Sequence, residues 1–126
     1  MFGQDSPEMM KLTELKDILE ASLLVGNEHL NREFDKCGAS DLMSDILAGL
    51  SEGSVLLTGL TTVQAVRTAV VAGVGAIVFV RGKTPSKAVI DLARTENIPL
   101  LTTPFSMFIS CGRLHAHGIT GLNGMK

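Results

Sequence analysis

Two cations separated by a glycine, Arg81-Gly82-Lys83, follow directly on a fully apolar run, Ala76-Ile77-Val78-Phe79-Val80. A guanidinium and an ammonium placed this way can neutralise a phosphate or a carboxylate; as ordinary solvated loop charges they would do no chemistry. A second segment, Thr58-Gly59-Leu60-Thr61-Thr62, joins another apolar run to the start of a helical pattern. The free N–H groups and dipole of a helix start favour an anion, Gly59 lets a ligand approach the backbone, and the threonine hydroxyls can donate; plain turn-and-cap chemistry is the other reading of the same residues. The candidate ligand-binding set is therefore Gly59, Thr61, Thr62, Arg81, Gly82 and Lys83.

No other cluster makes a stronger case. Asp41 falls at the first turn of a predicted helix, where a carboxylate suits the dipole, and ordering a ligand hydroxyl or amino group is its alternative role. Asp41 and Asp45 are four apart but lack the further oxygen ligands a metal site needs. His115 and His117 match no metal-ligand spacing, and no Ser/His/Asp or Cys/His arrangement is legible, so neither catalytic nor metal-binding residues are expected. No Walker or Gly-x-Gly-x-x-Gly motif is present, and no cofactor is expected.

These segments need a scaffold that brings them together. Three apolar runs, Val55-Leu56-Leu57-Thr58, Ala76 to Val80 and Ile98-Pro99-Leu100-Leu101-Thr102, start roughly 22 residues apart, the length of one βα unit. Between them lie amphipathic helices. Thr61-x-x-Gln64 fits a capping box ahead of Val63, Val66 and Val70, ending at Gly73; Thr84-Pro85 starts a helix with Val89, Leu92 and Ala93 buried; Thr103-Pro104 starts one over about Phe105–His115 with Met107, Cys111 and Leu114 on one face. Upstream, Thr13 to Glu20 reads as a helix, Leu23 to Gly26 as a short strand or turn, Arg32 to Gly38 as a loose strand, and Ser40 as the cap of a helix bearing Leu42, Ile46 and Leu50 and ending at Glu52-Gly53. The result is an α/β domain with a mainly parallel sheet and helices on both faces. In such a sheet the loops after the three runs emerge on one edge, the edge where open α/β sheets bind ligands.

A chain of 126 residues with 45% apolar content is most simply one domain. It divides into a polar tail at 1–10, the domain at 11–118 and a glycine-bearing tail at 119–126, both tails expected to be flexible. A formal net charge of −2 and the absence of Trp and Tyr argue against nucleic-acid binding. The apolar runs are too short to span a membrane, Met1-Phe2-Gly3-Gln4-Asp5 has no signal-peptide character, and Cys37 and Cys111 form no disulfide framework; a cytoplasmic protein is the expectation. Phe108 and Ile109 cannot share the face of Met107, Cys111 and Leu114, which leaves apolar area for a homodimer.

Four stretches also carry a likeness: Ala39-Ser40-Asp41-Leu42-Met43-Ser44-Asp45, Leu56-Leu57-Thr58-Gly59-Leu60-Thr61, Ile77-Val78-Phe79-Val80-Arg81-Gly82-Lys83 and Ile98-Pro99-Leu100-Leu101-Thr102-Thr103. Through them the chain resembles the DRTGG domain family from about Lys11 to about Gly118. The resemblance implies a fold like the N-terminal domain of HPr kinase. It also implies kinship with the middle domain of long phosphotransacetylases, with the insert between CBS modules of regulated pyrophosphatases, and with small proteins encoded near iron hydrogenases. Regulatory, self-associating character is implied with it. The family's Asp-Arg falls on Thr61-Thr62 and its Thr-Gly-Gly on Arg81-Gly82-Lys83, with only Gly82 kept. The leading expectation is a non-catalytic regulatory domain that binds a small anionic ligand, a nucleotide among the candidates, at the C-terminal edge of the sheet. The alternative is an interaction or dimerisation module without ligand, with a link to an iron-hydrogenase system; an enzyme ranks below both.

Overall fold

The computed structural model describes residues 9–49 and 53–121. The chain order is β1 (Met10–Lys11), α1 (Leu12–Ile18), β2 (Ser22–Val25), a single 3-10 turn (Asn27–His29), β3 (Glu33–Phe34), β4 (Lys36–Ala39), α2 (Met43–Gly49), β5 (Val55–Thr58), α3 (Val63–Ala72), β6 (Ala76–Phe79), α4 (Lys87–Glu96), β7 (Leu100–Thr102), α5 (Met107–Ala116) and β8 (Thr120–Gly121). The main sheet runs β2-β7-β6-β5-β4-β8; every pair is parallel except β2 with β7. This is the mainly parallel α/β sheet expected. The three apolar runs are its central strands, and β1 and β3 form a separate antiparallel pair.

Strand side chains alternate between faces, so continuous apolar runs feed two cores. Val55, Leu57, Ala76, Val78 and Leu101 point to one face, where Leu12, Leu15, Leu19 and Leu114 cover them. Leu56, Ile77, Phe79 and Leu100 point to the other, under Ile46 of α2, Val66 and Ala69 of α3, and Val89 and Ala93 of α4. Each of the Val, Leu, Ile and Phe side chains among them contributes roughly 1.5–3 kcal/mol by leaving water.

The helix starts differ from expectation by one to three residues. Thr62, not Thr61, caps α3, with its hydroxyl accepting the N–H of Ala65 at 3.1 Å. α4 begins at Lys87 behind Ser86 rather than at Thr84-Pro85. Ser106 caps α5 through the N–H of Ile109, because the Thr103 hydroxyl is buried and donates instead to the Leu19 carbonyl at 2.6 Å. α1 begins at Leu12, where the Glu14 carboxylate accepts the Lys11 N–H. The loose strand at 32–38 is two strands, β3 and β4, that belong to different sheets. In α2 Ile46 is buried as expected, but Leu42 precedes the helix and is exposed.

Met10 is buried and pairs with Phe34, and Ile119 is buried just ahead of β8. The expectations for residues 1–8, Leu50, Glu52 and residues 122–126 lie outside the described residues.

Candidate functional site

The register of the sheet ends four strands together. Ala39 pairs with Leu57, Thr58 with Phe79, and Phe79 with Thr102. The segments that follow β4, β5, β6 and β7 therefore leave from one edge, side by side.

Asp41, two residues beyond β4, reaches across to the segment after β5. Its Oδ1 accepts the backbone N–H of Gly59 at 2.6 Å and the hydroxyl of buried Thr58 at 3.2 Å. Thr58 Oγ1 in turn accepts the N–H of Leu60 at 3.1 Å. The expected helix-start duty of Asp41 gives way to this role: α2 begins later, at Met43, and the carboxylate ties two loops together instead. Ser40 shapes the approach, its hydroxyl accepting the Leu42 N–H at 3.0 Å.

Arg81 arrives at the same point from β6. A Cβ added to Gly59 would lie 2.9 Å from Arg81 Nη2 and 3.3 Å from Asp41 Oδ1. The guanidinium and the Asp41 carboxylate thus both lie against the bare backbone of Gly59, at the place a side chain would fill, without forming an ion pair. Its loop is a tight reversal in which Arg81 and Gly82 both have positive φ, 57° and 69°, and the Lys83 N–H donates to the Val80 carbonyl at 3.2 Å. That is type I′ turn geometry, which glycine adopts freely and arginine only at a cost of about 1–2 kcal/mol. The surroundings hold it. The N–H groups of Arg81 and Gly82 donate to the carbonyls of Phe105 and Thr103 at 2.8 and 2.7 Å, and Thr102 Oγ1 donates to the Lys83 carbonyl at 2.6 Å.

Of the six candidate residues, Gly59 and Arg81 are in direct apposition. Thr62 sits at the start of α3 with its hydroxyl engaged in the cap, and Thr61 is half-buried one residue before it. Gly82 and Lys83 are exposed, and Gly82 faces open space. Among the described residues neither the Arg81 guanidinium nor the Lys83 ammonium has a hydrogen-bond or ion-pair partner. Gly59 itself is buried and its N–H is spent on Asp41, so the chemical capacity of this edge is electrostatic: the exposed Arg81 and Lys83 cations, exposed backbone at Gly82, and the positive end of the ten-residue helix α3.

The other titratable groups do not assemble a reactive centre. Burial pushes the Cys37 thiol up to about 11, with the charge of Cys111 adding to it, and burial raises Cys111 too, which suppresses the thiolate in both. His115 and His117 are exposed near the end of α5, and His117 Nδ1 is 2.8 Å from the Arg113 carbonyl oxygen. Among the described residues no three His, Cys, Asp or Glu side chains are grouped to hold a metal, and no helix is long and apolar enough to cross a membrane. A shallow hollow lined by Leu23 to Glu28 and Arg94 lies at the opposite edge, where Val25 meets the start of β7. It carries no motif that reading the chain could have picked out.

No curated protein matches the chain. Among solved structures, the chain is similar to the CBS and DRTGG domains of the regulatory region of a Clostridium perfringens pyrophosphatase, complexed with its activator, diadenosine tetraphosphate. The TM-score is 0.69 at 24% identity, over 82% of this chain and 45% of that one. The chain therefore spans less than half of that structure, and the likeness is one of fold. The family model for the DRTGG domain matches residues 14–116. Those limits take in β2 to β7 and both loops that meet at Gly59 and Arg81, and over that length the chain belongs to the DRTGG domain family.

Proposed function

We propose that this domain is a non-catalytic regulatory module that binds a small anionic ligand at the C-terminal edge of its sheet, through Gly59, Thr61, Thr62, Arg81, Gly82 and Lys83. The observation that carries the reading is the unpaired Arg81 guanidinium laid against the backbone of Gly59, on the edge from which α3 starts. An exposed guanidinium with no hydrogen-bond or ion-pair partner among the described residues is free to take an anion from solution. A nucleotide fits this charge pattern. The similar pyrophosphatase region, which is regulatory and has a dinucleoside tetraphosphate as its activator, supports that choice. Arg81→Ala tests the site. Calorimetric titration with ATP and with inorganic tripolyphosphate should show a loss of about 1.5–3 kcal/mol, roughly 10- to 150-fold in affinity. Stability without ligand should barely change, since an exposed loop side chain contributes little to folding. Affinity indifferent to Arg81→Ala would remove the basis for the reading.

A second reading, a homodimerisation module, is favoured by large apolar side chains left exposed: Leu42, Leu47 and Val71 around α2 and α3, and Phe108 and Ile109 on α5. Sedimentation equilibrium that finds only monomer at high micromolar concentration would exclude it.

A further inference from the structure

Opposite charges from two loops converge on one point of this edge. Arg81 Nη2, Asp41 Oδ1 and Asp41 Oδ2 lie 2.9, 3.3 and 3.5 Å from the place a Gly59 Cβ would fill, yet the guanidinium and the carboxylate form no ion pair. Each is positioned by its own surroundings. Asp41 is anchored through Oδ1, which accepts the Gly59 N–H at 2.6 Å and the Thr58 hydroxyl at 3.2 Å. The turn that bears Arg81 is anchored through its backbone, by the carbonyls of Phe105 and Thr103. Among the described residues, Asp41 Oδ2 is left without a donor and the guanidinium without an acceptor, and both residues are exposed.

A carboxylate beside the cation works against a bare anion, because a phosphate at Arg81 also meets the negative charge of Asp41. The two groups together suit a ligand that gives each what it lacks: an anionic oxygen for the guanidinium and, close by, a hydrogen-bond donor for Oδ2. A phosphate on a sugar has that pattern, and a bare polyphosphate has the charge without the hydroxyl. We propose that Asp41 makes this edge selective for hydroxyl-bearing phosphates, the chemistry shared by sugar phosphates and nucleotides: Oδ2 accepts the ligand hydroxyl while the phosphate pairs with Arg81. This rests on the anion-site reading above and adds Asp41 to it. One carboxylate oxygen then serves the fold and the other the ligand.

The test is calorimetric titration of the full chain, wild type and Asp41→Asn, with ATP, dideoxy-ATP, ribose 5-phosphate and inorganic tripolyphosphate. The wild type should bind ATP about tenfold more tightly than dideoxy-ATP, which lacks both ribose hydroxyls. That comparison needs no variant. Asp41→Asn keeps an acceptor for Gly59 and Thr58 but puts an amide N–H where Oδ2 stood. Its preference for ATP over dideoxy-ATP should shrink severalfold, and its affinity for tripolyphosphate should rise, since the negative charge is gone. Ribose 5-phosphate held as tightly as ATP would assign the site to sugar phosphates, and weaker binding would assign it to nucleotides. Equal wild-type affinities for ATP and dideoxy-ATP would overturn the selectivity inference and leave the anion site standing. So would an Asp41→Asn variant that keeps the wild-type preference. If the wild type binds none of these probes, the anion-site reading falls and takes this inference with it.

Discussion

The Arg81 guanidinium lies so close over Gly59 that a Cβ at the glycine would come within 2.9 Å of Nη2. Twenty-two residues separate the two in sequence, yet the pairing of Thr58 with Phe79 at the ends of adjacent parallel strands makes them neighbours. Gly59→Ala would therefore act on the site more than on the fold. The nearest obstruction, Arg81 Nη2, is the far end of a flexible side chain that can swing away at little cost, while Asp41 Oδ1, 3.3 Å from the added Cβ, has to give by only a few tenths of an ångström. We expect Gly59→Ala to lower tripolyphosphate affinity severalfold while costing no more than about 1 kcal/mol of stability. Titration calorimetry and thermal unfolding of the same variant separate the two effects, and unchanged affinity would show that the position of Arg81 does not matter.

Asp41 is expected to matter to folding. Its Oδ1 takes the N–H of Gly59 and the hydroxyl of buried Thr58, and truncation leaves both donors without that acceptor. Asp41→Ala should cost about 1–3 kcal/mol, the penalty for stranding buried donors. Asp41→Asn keeps an acceptor oxygen and should cost less. Urea unfolding of the two variants measures this, and a wild-type midpoint for Asp41→Ala would mean that the tie between the β4 and β5 loops carries no weight.

Thr61 and Thr62 are adjacent and chemically identical, but only Thr62 caps α3. Thr62→Ala should destabilise the domain by about 1 kcal/mol, the usual worth of a threonine cap, and Thr61→Ala by less than about 0.5 kcal/mol. The order of the two thermal midpoints is the check. The opposite order would restore the capping box from Thr61 to Gln64.

That pair shows where reading the chain succeeds and where it slips. The central strands were legible because Val55–Thr58, Ala76–Phe79 and Leu100–Thr102 are apolar without alternation, which marks strands covered on both faces. Their shared edge followed from topology, and with it the apposition of Gly59 and Arg81. The caps were harder because hydroxyls recur close together at these starts, Thr61 with Thr62, Thr84 with Ser86, and Thr103 with Ser106. Tertiary contact decides among them: Thr103 is drawn inward to the Leu19 carbonyl, so the cap of α5 passes to Ser106. The bond from Asp41 to Gly59 depends on the register of β4 against β5, which no local pattern encodes. The positive φ of Arg81 was also hidden, because the residue type argues against it; only Gly82 beside it hinted at the turn.

Cys37 gives the domain a weakness at alkaline pH. Burial, with Cys111 adding to it, raises its thiol from 9.0 to about 11 in the folded chain. Below pH 9 the thiol is protonated in both folded and unfolded chains, and stability owes nothing to the difference. Between pH 9 and 11 the unfolded chain gives up this proton while the folded chain keeps it, so the unfolded state binds fewer protons and stability falls as pH rises. The loss across that window should be on the order of 2 kcal/mol, at about 1.4 kcal/mol per pKa unit and with allowance for partial exposure. Cys37→Ala removes the titrating group and should flatten this part of the curve, even if its stability at pH 8 is lower for want of the sulfur. The measurement is urea unfolding at pH 8, 9, 10 and 11 for both proteins. Parallel pH dependence in the two would show that Cys37 ionises in the native state as readily as in the unfolded one.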